Sequence, residues 1–370
     1  MIPLVDIPRT IRAVQKPVRT AIEDVLASGQ YILGPNVQTL EKRLTDRLNV
    51  GDVVTVANGT DALVLALEAF EVGPGDEVIT TPFSFFATAE AIARVGATPV
   101  FVDVDPRTYN IDPRQIASAV TSKTKAIIPV HLFGQPADMA PIMRIARQNN
   151  LRVIEDACQA FGAAYKQKPV GALADAACFS FFPTKNLGTV GDGGCVTLAD
   201  PERGERIRQL RHHGSVTKYY HRRIGYNSRL DEIHAAILLV FLEHVDAWNA
   251  RRRKLAQRYR QKLAGIEGMR IRPEGKDVTH VYHLFCLEAN RRDLLMEHLR
   301  RKQIGCGVYY PCPLHLQEAF SVLGYRPGDF PVAEHLADIL LAIPMGPFLQ
   351  EKEQDVVIET LRAWTKEGQA

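Results

Sequence analysis

The sequence has no Cys-x-x-Cys pair, no apolar run of membrane length, no dominant charge and no tandem repeat or low-complexity stretch. Each absence removes a class of protein. The six cysteines (Cys158, Cys178, Cys195, Cys286, Cys306 and Cys312) are scattered. They show no metal-ligand or redox-pair spacing, and three lie in apolar segments where a reduced thiol acts as a small hydrophobe. The longest apolar run, "AAILLVFL" at residues 235–242, is far short of the about 20 residues that span a bilayer. A net charge of +3 over 370 residues gives no global pull toward nucleic acid or anionic lipid. The opening "MIPLVDIPRT" lacks a basic segment followed by an apolar core, so no secretory signal is read. A reduced, cytoplasmic protein with no metal is expected.

What is present is a regular alternation. Seven β-branched segments, "DVVTVA", "EVITT", "PVFVDV", "KAIIPVH", "RVIEDA", "ACFSFF" and "GCVTL", fall between residues 52 and 198, several separated by amphipathic helical patterns. The segments are nearly continuous apolar runs, as a parallel sheet covered on both faces requires. The expected fold is α/β, with a mostly parallel seven-stranded sheet between helices in a large domain, residues 1–248. "RLDEIHAAILLVFLEHVDAWNARRRKLAQRYRQKL" reads as one or two long helices, whose basic residues form a solvated face. From residue 249 onward a smaller α+β domain is expected, to residue 370.

Four local signals fall at strand ends, where parallel sheets place their ligands. In "NGTDALVLAL" a strand stops, Asn58-Gly59-Thr60 turns, and a helix starts. Its first N–H groups and the Thr60 hydroxyl suit a phosphate, although a plain cap by Asn58 or Thr60 explains the same residues. In "RVIEDACQAFGA" two acids, Glu155 and Asp156, end an apolar strand. An inward one needs a cationic or proton-donating partner, while an outward one would cap a helix. In "SFFPTKNLGTVGDGG" a single lysine, Lys185, follows a strand. It is either a surface residue or a desolvated amine able to attack a carbonyl. The glycines behind it would let backbone crowd a ligand. In "TPFSFFATAEAI" the rings of Phe83, Phe85 and Phe86 fill a core or stack on a flat heterocycle. A phosphate cradle, an acid, a stacking ring and a lysine together are what pyridoxal 5′-phosphate (PLP) requires.

The set "SGQYILGPNVQTLEKRL", "ANGTDAL", "TPFSFFATAEAI", "VFVDVD", "IPVHLFGQPADM", "EDACQAFGA", "SFFPTKNLG", "GYNSRLDEIHAAIL" and "DFPVAE" resembles the DegT/DnrJ/StrS family of PLP-dependent sugar aminotransferases, of PLP-transferase fold type I. The resemblance runs nearly end to end. It implies that Lys185 is the Schiff-base lysine and that Asp156 pairs with the pyridinium nitrogen. Gln159 would approach the 3′-oxygen and Phe85 would stack on the ring. Gly59, Thr60 and Ser180 would hold the phosphate. Asn227 would reach the cofactor of a neighbouring subunit, which implies a homodimer with shared active sites.

The substrates implied are L-glutamate and a UDP- or dTDP-linked keto-sugar, with Tyr31, Arg229, Tyr309 and His315 as substrate-binding residues, although a pair of core aromatics and a surface histidine would explain Tyr309 and His315 as well. Arg229 would meet an anionic group, while Lys218, Arg222 and Arg223 attract the diphosphate, although a solvated loop explains Lys218 and Arg222 equally well. The stretch "GVYYPCPLHLQEAF" resembles members that aminate C3, so a 3-keto-sugar is expected. A C4-specific enzyme and a non-catalytic PLP-binding regulator are the alternatives. Phe182 departs from the Tyr or His that relatives often place before the proline.

Overall fold

The computed structural model describes residues 1–367. The seven apolar segments form one sheet: β1 (Asp52–Val56), β2 (Glu77–Thr80), β3 (Thr98–Phe101), β4 (Thr124–Ile127), β5 (Arg152–Asp156), β6 (Ala176–Ser180) and β7 (Gly194–Leu198). Their order is β1-β7-β6-β5-β4-β2-β3. Every pairing is parallel except the two made by β7. No helix separates β6 from β7, and parallel strands need a long crossover that this loop does not provide. The chain therefore turns back. The reversal sets Gly194, the start of β7, between Val56 and Ser180, the ends of β1 and β6.

Residues alternate between two cores. Val53, Ala177 and Phe179 face one, together with α1 (Gln15–Ser28) and α2 (Pro35–Leu48). Val54, Val56, Cys178 and Val196 face the other, which α3 (Gly59–Ala69) fills with Ala62, Leu63, Ala66 and Leu67. Two covered faces explain why the strands read as unbroken apolar runs.

The long helical stretch is two helices, α5 (Glu232–Leu242) and α6 (Val245–Lys262), following α4 (Ala87–Arg94) among the helices used here. The expected division after residue 248 falls inside α6. Val245 packs on the sheet core, whereas Leu255 and Tyr259 join a second core. There they meet β8 (Met269–Arg270), β9 (Phe285–Ala289) and β10 (Leu340–Ile343), an antiparallel sheet. The chain start also belongs to this second unit, since Ile2 bridges Ile304 and packs there.

Glu232, which is fully buried, ties α5 to α2. Its two carboxylate oxygens accept the N–H groups of Asn36 and Val37 at 2.8 and 2.9 Å. These are donors with no partner inside their own helix, and Gly34 leaves room for the carboxylate beside them. Replacing Glu232 by Ala strands both donors and should cost about 2 kcal/mol or more in chemical denaturation. Glu232→Gln, which retains one acceptor, should lose less.

Candidate active site

A cavity of about 720 Å³ opens at the carboxyl edge of the sheet. At one wall stands the start of α3. The Asn58 side chain accepts from Asp61 N–H at 2.8 Å, so Asn58 is the cap. Gly59 and Thr60 line the cavity beside it, with Ser180 from the end of β6. Space here admits only glycine. A Cβ on Gly59 would lie 2.7 Å from Ser180 Cβ, and one on Gly194 would lie 2.6 Å from the Asn58 carbonyl carbon. The helix start, its dipole and a hydroxyl pair thus converge on one spot, a ready anion site.

The two acids at the end of β5 part company. Glu155 turns away from the cavity and is fully buried. It faces His131 Nε2 at 2.9 Å and accepts Gly171 and Leu173 N–H groups. His131 Nδ1 accepts from Ala137 N–H, so the imidazole proton sits on Nε2 and donates to Glu155. Asp156 faces the cavity. Its Oδ2 accepts from the Thr88 hydroxyl at 2.7 Å and its Oδ1 from Cys158 N–H at 3.2 Å. Neither acid caps a helix. Alternation along a strand forces opposite faces on neighbours.

Lys185 lies in the turn after β6, its N–H donating to Phe182 O at 2.8 Å. Asn186 anchors that turn through Asn249 Oδ1 at 2.7 Å and Val281 O at 2.9 Å. Among the described residues no hydrogen bond or ion pair engages the Lys185 amine, which lines the cavity. Burial holds its pKa below the ordinary lysine value, partly opposed by Cys158 and Asp156. His283 shares the wall. Burial, then the charges of Lys185 and Arg252, push it well below the ordinary histidine value, so it stays a neutral imidazole.

The glycines behind Lys185 divide: Gly194 stands against Asn58 at the anion site, while the other three meet protein neighbours instead. Cβ atoms on Gly188, Gly191 and Gly193 would meet Phe182 O, the His234 ring and Leu230 respectively. They let the loop close on its own protein neighbours.

The phenylalanine cluster also divides. Phe83 is fully buried, Phe86 packs on Phe320, and Phe85 remains 56% exposed on the cavity wall. Gln159 is held at both ends of its amide: its Oε1 accepts Phe133 N–H at 2.7 Å, and its Nε2 donates to the Tyr310 hydroxyl at 2.9 Å. Tyr309 lines the cavity with Tyr310.

Three expected residues, His315, Tyr31 and Arg229, lie away from the cavity, as does Asn227, which was expected at a neighbouring subunit. His315 sits in a short helical turn with its Nε2 3.1 Å from Glu334 and its ring 4.7 Å from that of Phe330. It is buried in an aromatic core, away from the cavity wall, because the turn after Pro313 directs it inward. Tyr31 and Asn227 are exposed, and Arg229 meets His212 at 3.2 Å. None of these three reaches the cavity of its own chain. Conversely, Thr88, Tyr310, His283 and the Arg94–Asp61 pair at 3.9 Å went unread in the sequence. Only the second tyrosine of "GVYYPC" carried a local signal.

The partly buried lysine has a thermodynamic signature. With its pKa lowered on folding, the unfolded chain binds more protons between the folded value and about 10.4. Stability therefore rises with pH across that window, and the burial penalty is greatest below it. Lys185→Met should raise the thermal midpoint of the cofactor-free protein at pH 7. The gain should shrink toward pH 10 in a melting series.

Comparison with known proteins places this arrangement. The family model described as DegT/DnrJ/EryC1/StrS aminotransferase matches residues 13–362. A UDP-N-acetyl-3-dehydro-alpha-D-glucosamine 3-aminotransferase of Acidithiobacillus ferrooxidans is 46% identical, over 95% of each chain. A pleiotropic regulatory protein of Geobacillus stearothermophilus is 48% identical, over 97% of each. The crystal structure of S. venezuelae DesV in complex with a ketimine intermediate superposes with a TM-score of 0.97 at 40% identity, over 98% of each chain. The cavity with its lysine, acid and helix start thus sits in a chain that belongs to the DegT/DnrJ/EryC1/StrS aminotransferase family.

Proposed function

We propose that this protein is a PLP-dependent aminotransferase that moves the amino group of L-glutamate to a nucleotide-linked keto-sugar, at C3 of the sugar. The observation that carries the reading is the meeting of Lys185 and Asp156 in one cavity with the start of α3. The residues present fit the cofactor. Gly59, Thr60 and Ser180 would take its phosphate, Phe85 its ring face, Asp156 its ring nitrogen and Gln159 its 3′-oxygen. When bound, PLP supplies an electron sink for the substrate α-carbon.

The chain does the rest. Asp156 holds a proton at the ring nitrogen. Lys185, kept toward its neutral form by burial, takes the proton from the donor α-carbon. Proton transfer by a positioned base of this kind is worth roughly 10²–10⁴ in rate. Tyr309, Tyr310 and Leu284 form one wall of the cavity.

Regiochemistry rests on "GVYYPCPLHLQEAF" and on the C3 reaction named for the Acidithiobacillus relative. A homodimer explains why Tyr31, Asn227 and Arg229 stand outside their own cavity. Each would serve the partner's. Exposed Tyr31, Ile32, Val190, Tyr219 and Ile224 supply apolar surface for such contact. A ligand-sensing regulator is the rival, in keeping with the name of the Geobacillus relative. A sensor needs no amine whose pKa burial has lowered. Among the described residues no helix is long and apolar enough to cross a membrane.

Incubation with glutamate and a panel of UDP- and dTDP-linked 3- and 4-keto-sugars should yield a 3-amino-sugar by NMR, with 2-oxoglutarate in catalytic excess. Lys185→Ala should lose both turnover and the visible absorbance of the lysine-bound cofactor. A colourless wild-type protein, or full activity in that variant, would exclude the enzyme reading.

A further inference from the structure

A chain of two hydroxyls runs to the cavity acid from Ser84, which itself lines the cavity, through Thr88. The Thr88 Oγ1 lies 2.7 Å from Asp156 Oδ2, and the Ser84 Oγ lies 2.9 Å from Thr88 Oγ1. All three residues are buried, at 3%, 0% and 6% exposure for Ser84, Thr88 and Asp156. The direction of the chain follows from proton counting. An ionised carboxylate only accepts, and a hydroxyl has one proton. Thr88 therefore donates to Asp156 and accepts from Ser84.

This arrangement is not what helix geometry alone would produce. A threonine in a helical turn ordinarily returns its hydroxyl to a carbonyl three or four residues earlier. Thr88, in the first turn of α4, instead spends its proton on a side chain of β5, 68 positions away in sequence. The same short segment carries Phe85 on the cavity wall. One stretch, Ser84 to Thr88, thus addresses the face of a bound ring through Phe85 and its edge through Asp156.

We propose that Thr88, backed by Ser84, is a positioning residue that keeps Asp156 ionised and aimed into the cavity, so that the proton shared with the cofactor's ring nitrogen stays on the nitrogen. The inference rests on the PLP reading above. A donor aimed at Oδ2 favours the charged carboxylate, because charge-assisted hydrogen bonds are about twice as strong as neutral ones. Without it, the neutral pair of carboxylic acid and uncharged ring gains ground. The electron sink then weakens without any loss of substrate contacts.

The test uses the holoenzyme and the variants Thr88→Val, Thr88→Ser, Ser84→Ala and Asp156→Asn. Thr88→Val keeps the branched shape and removes the proton. It should lower kcat roughly tenfold or more, the worth of a hydrogen bond to a charged group, with KM for glutamate unchanged. The pH midpoint of the bound cofactor's visible absorbance should move in the direction that Asp156→Asn moves it. Thr88→Ser should restore both readouts, and Ser84→Ala should shift the midpoint less, in the same sense. A Thr88→Val enzyme matching wild type in kcat and midpoint, beside an altered Asp156→Asn, would overturn the proposal and leave the cofactor reading standing. A Thr88→Ser spectrum displaced as far as that of Thr88→Val would overturn it too, by assigning the effect to the lost methyl. An Asp156→Asn enzyme identical to wild type would overturn proposal and cofactor reading together. Should Thr88→Val fail to fold, Ser84→Ala decides, and an unmoved midpoint there overturns the proposal.

Discussion

The structure depends on one amine held, partly buried, at the wall of a cavity. A lysine ammonium is among the most strongly hydrated groups in a protein, and burying it depresses its pKa because the charged form loses its solvent. Lys185 bears that cost in the turn between β6 and β7. The turn must reverse the chain in a short span, hold the side chain over the cavity and shield it. Its rigidity comes from buried polar anchoring. Asn186 reaches both Asn249 on α6 and Val281 before β9, so the lysine is fixed by two segments distant in sequence. The glycines that follow let the loop pack against its own backbone and the His234 ring. A loop without them would stand off, and water would enter where the amine needs none.

The acid opposite is placed by strand periodicity. Glu155 and Asp156 are adjacent, so the pleat must send them to opposite faces of β5. On the covered face Glu155 is satisfied by His131 and two loop N–H groups, which fixes the strand end. Asp156 then has no freedom to rotate its backbone, and its carboxylate is oriented by Thr88 and Cys158 N–H. A structural acid and a cavity acid come from one dipeptide, separated only by which side of the sheet each occupies.

That division shows what a sequence can and cannot convey. The seven strands were legible because a doubly covered sheet writes itself as β-branched runs, whereas the run before Lys185 left a surface lysine open and only the family resemblance gave it a role. Asp156 was legible as one of a pair, but its choice of face was not, since nothing local distinguishes it from Glu155. Thr88 and His283 were invisible. Their significance arises from atoms 68 and 98 positions away from them, Asp156 and Lys185, and no spacing rule links such positions. His315 misled for the converse reason. Its neighbourhood in sequence suggested the sugar pocket, while a short turn after Pro313 carries it into the core with Phe330 and Glu334. Tyr31 and Arg229 were singled out as substrate-binding residues, yet one chain does not bring them to its cavity, and Asn227, assigned to a neighbouring subunit, lies outside it as well.

A cavity built this way bears on the choice between catalysis and sensing. Holding a phosphorylated ring asks for a helix start, a flat apolar face and a shaped wall, all of which cost little. A desolvated lysine and a carboxylate with its own hydroxyl support cost stability, because each buried polar group must be compensated. Those groups add nothing that mere retention of a ligand requires. On the proposed reading they would supply a base at one end of a conjugated ring and a cation-stabilising acid at the other, which matters only when charge moves between them. Proteins accept strained or destabilised groups where function demands them, and the function that demands this pair is proton transfer at a carbon next to nitrogen.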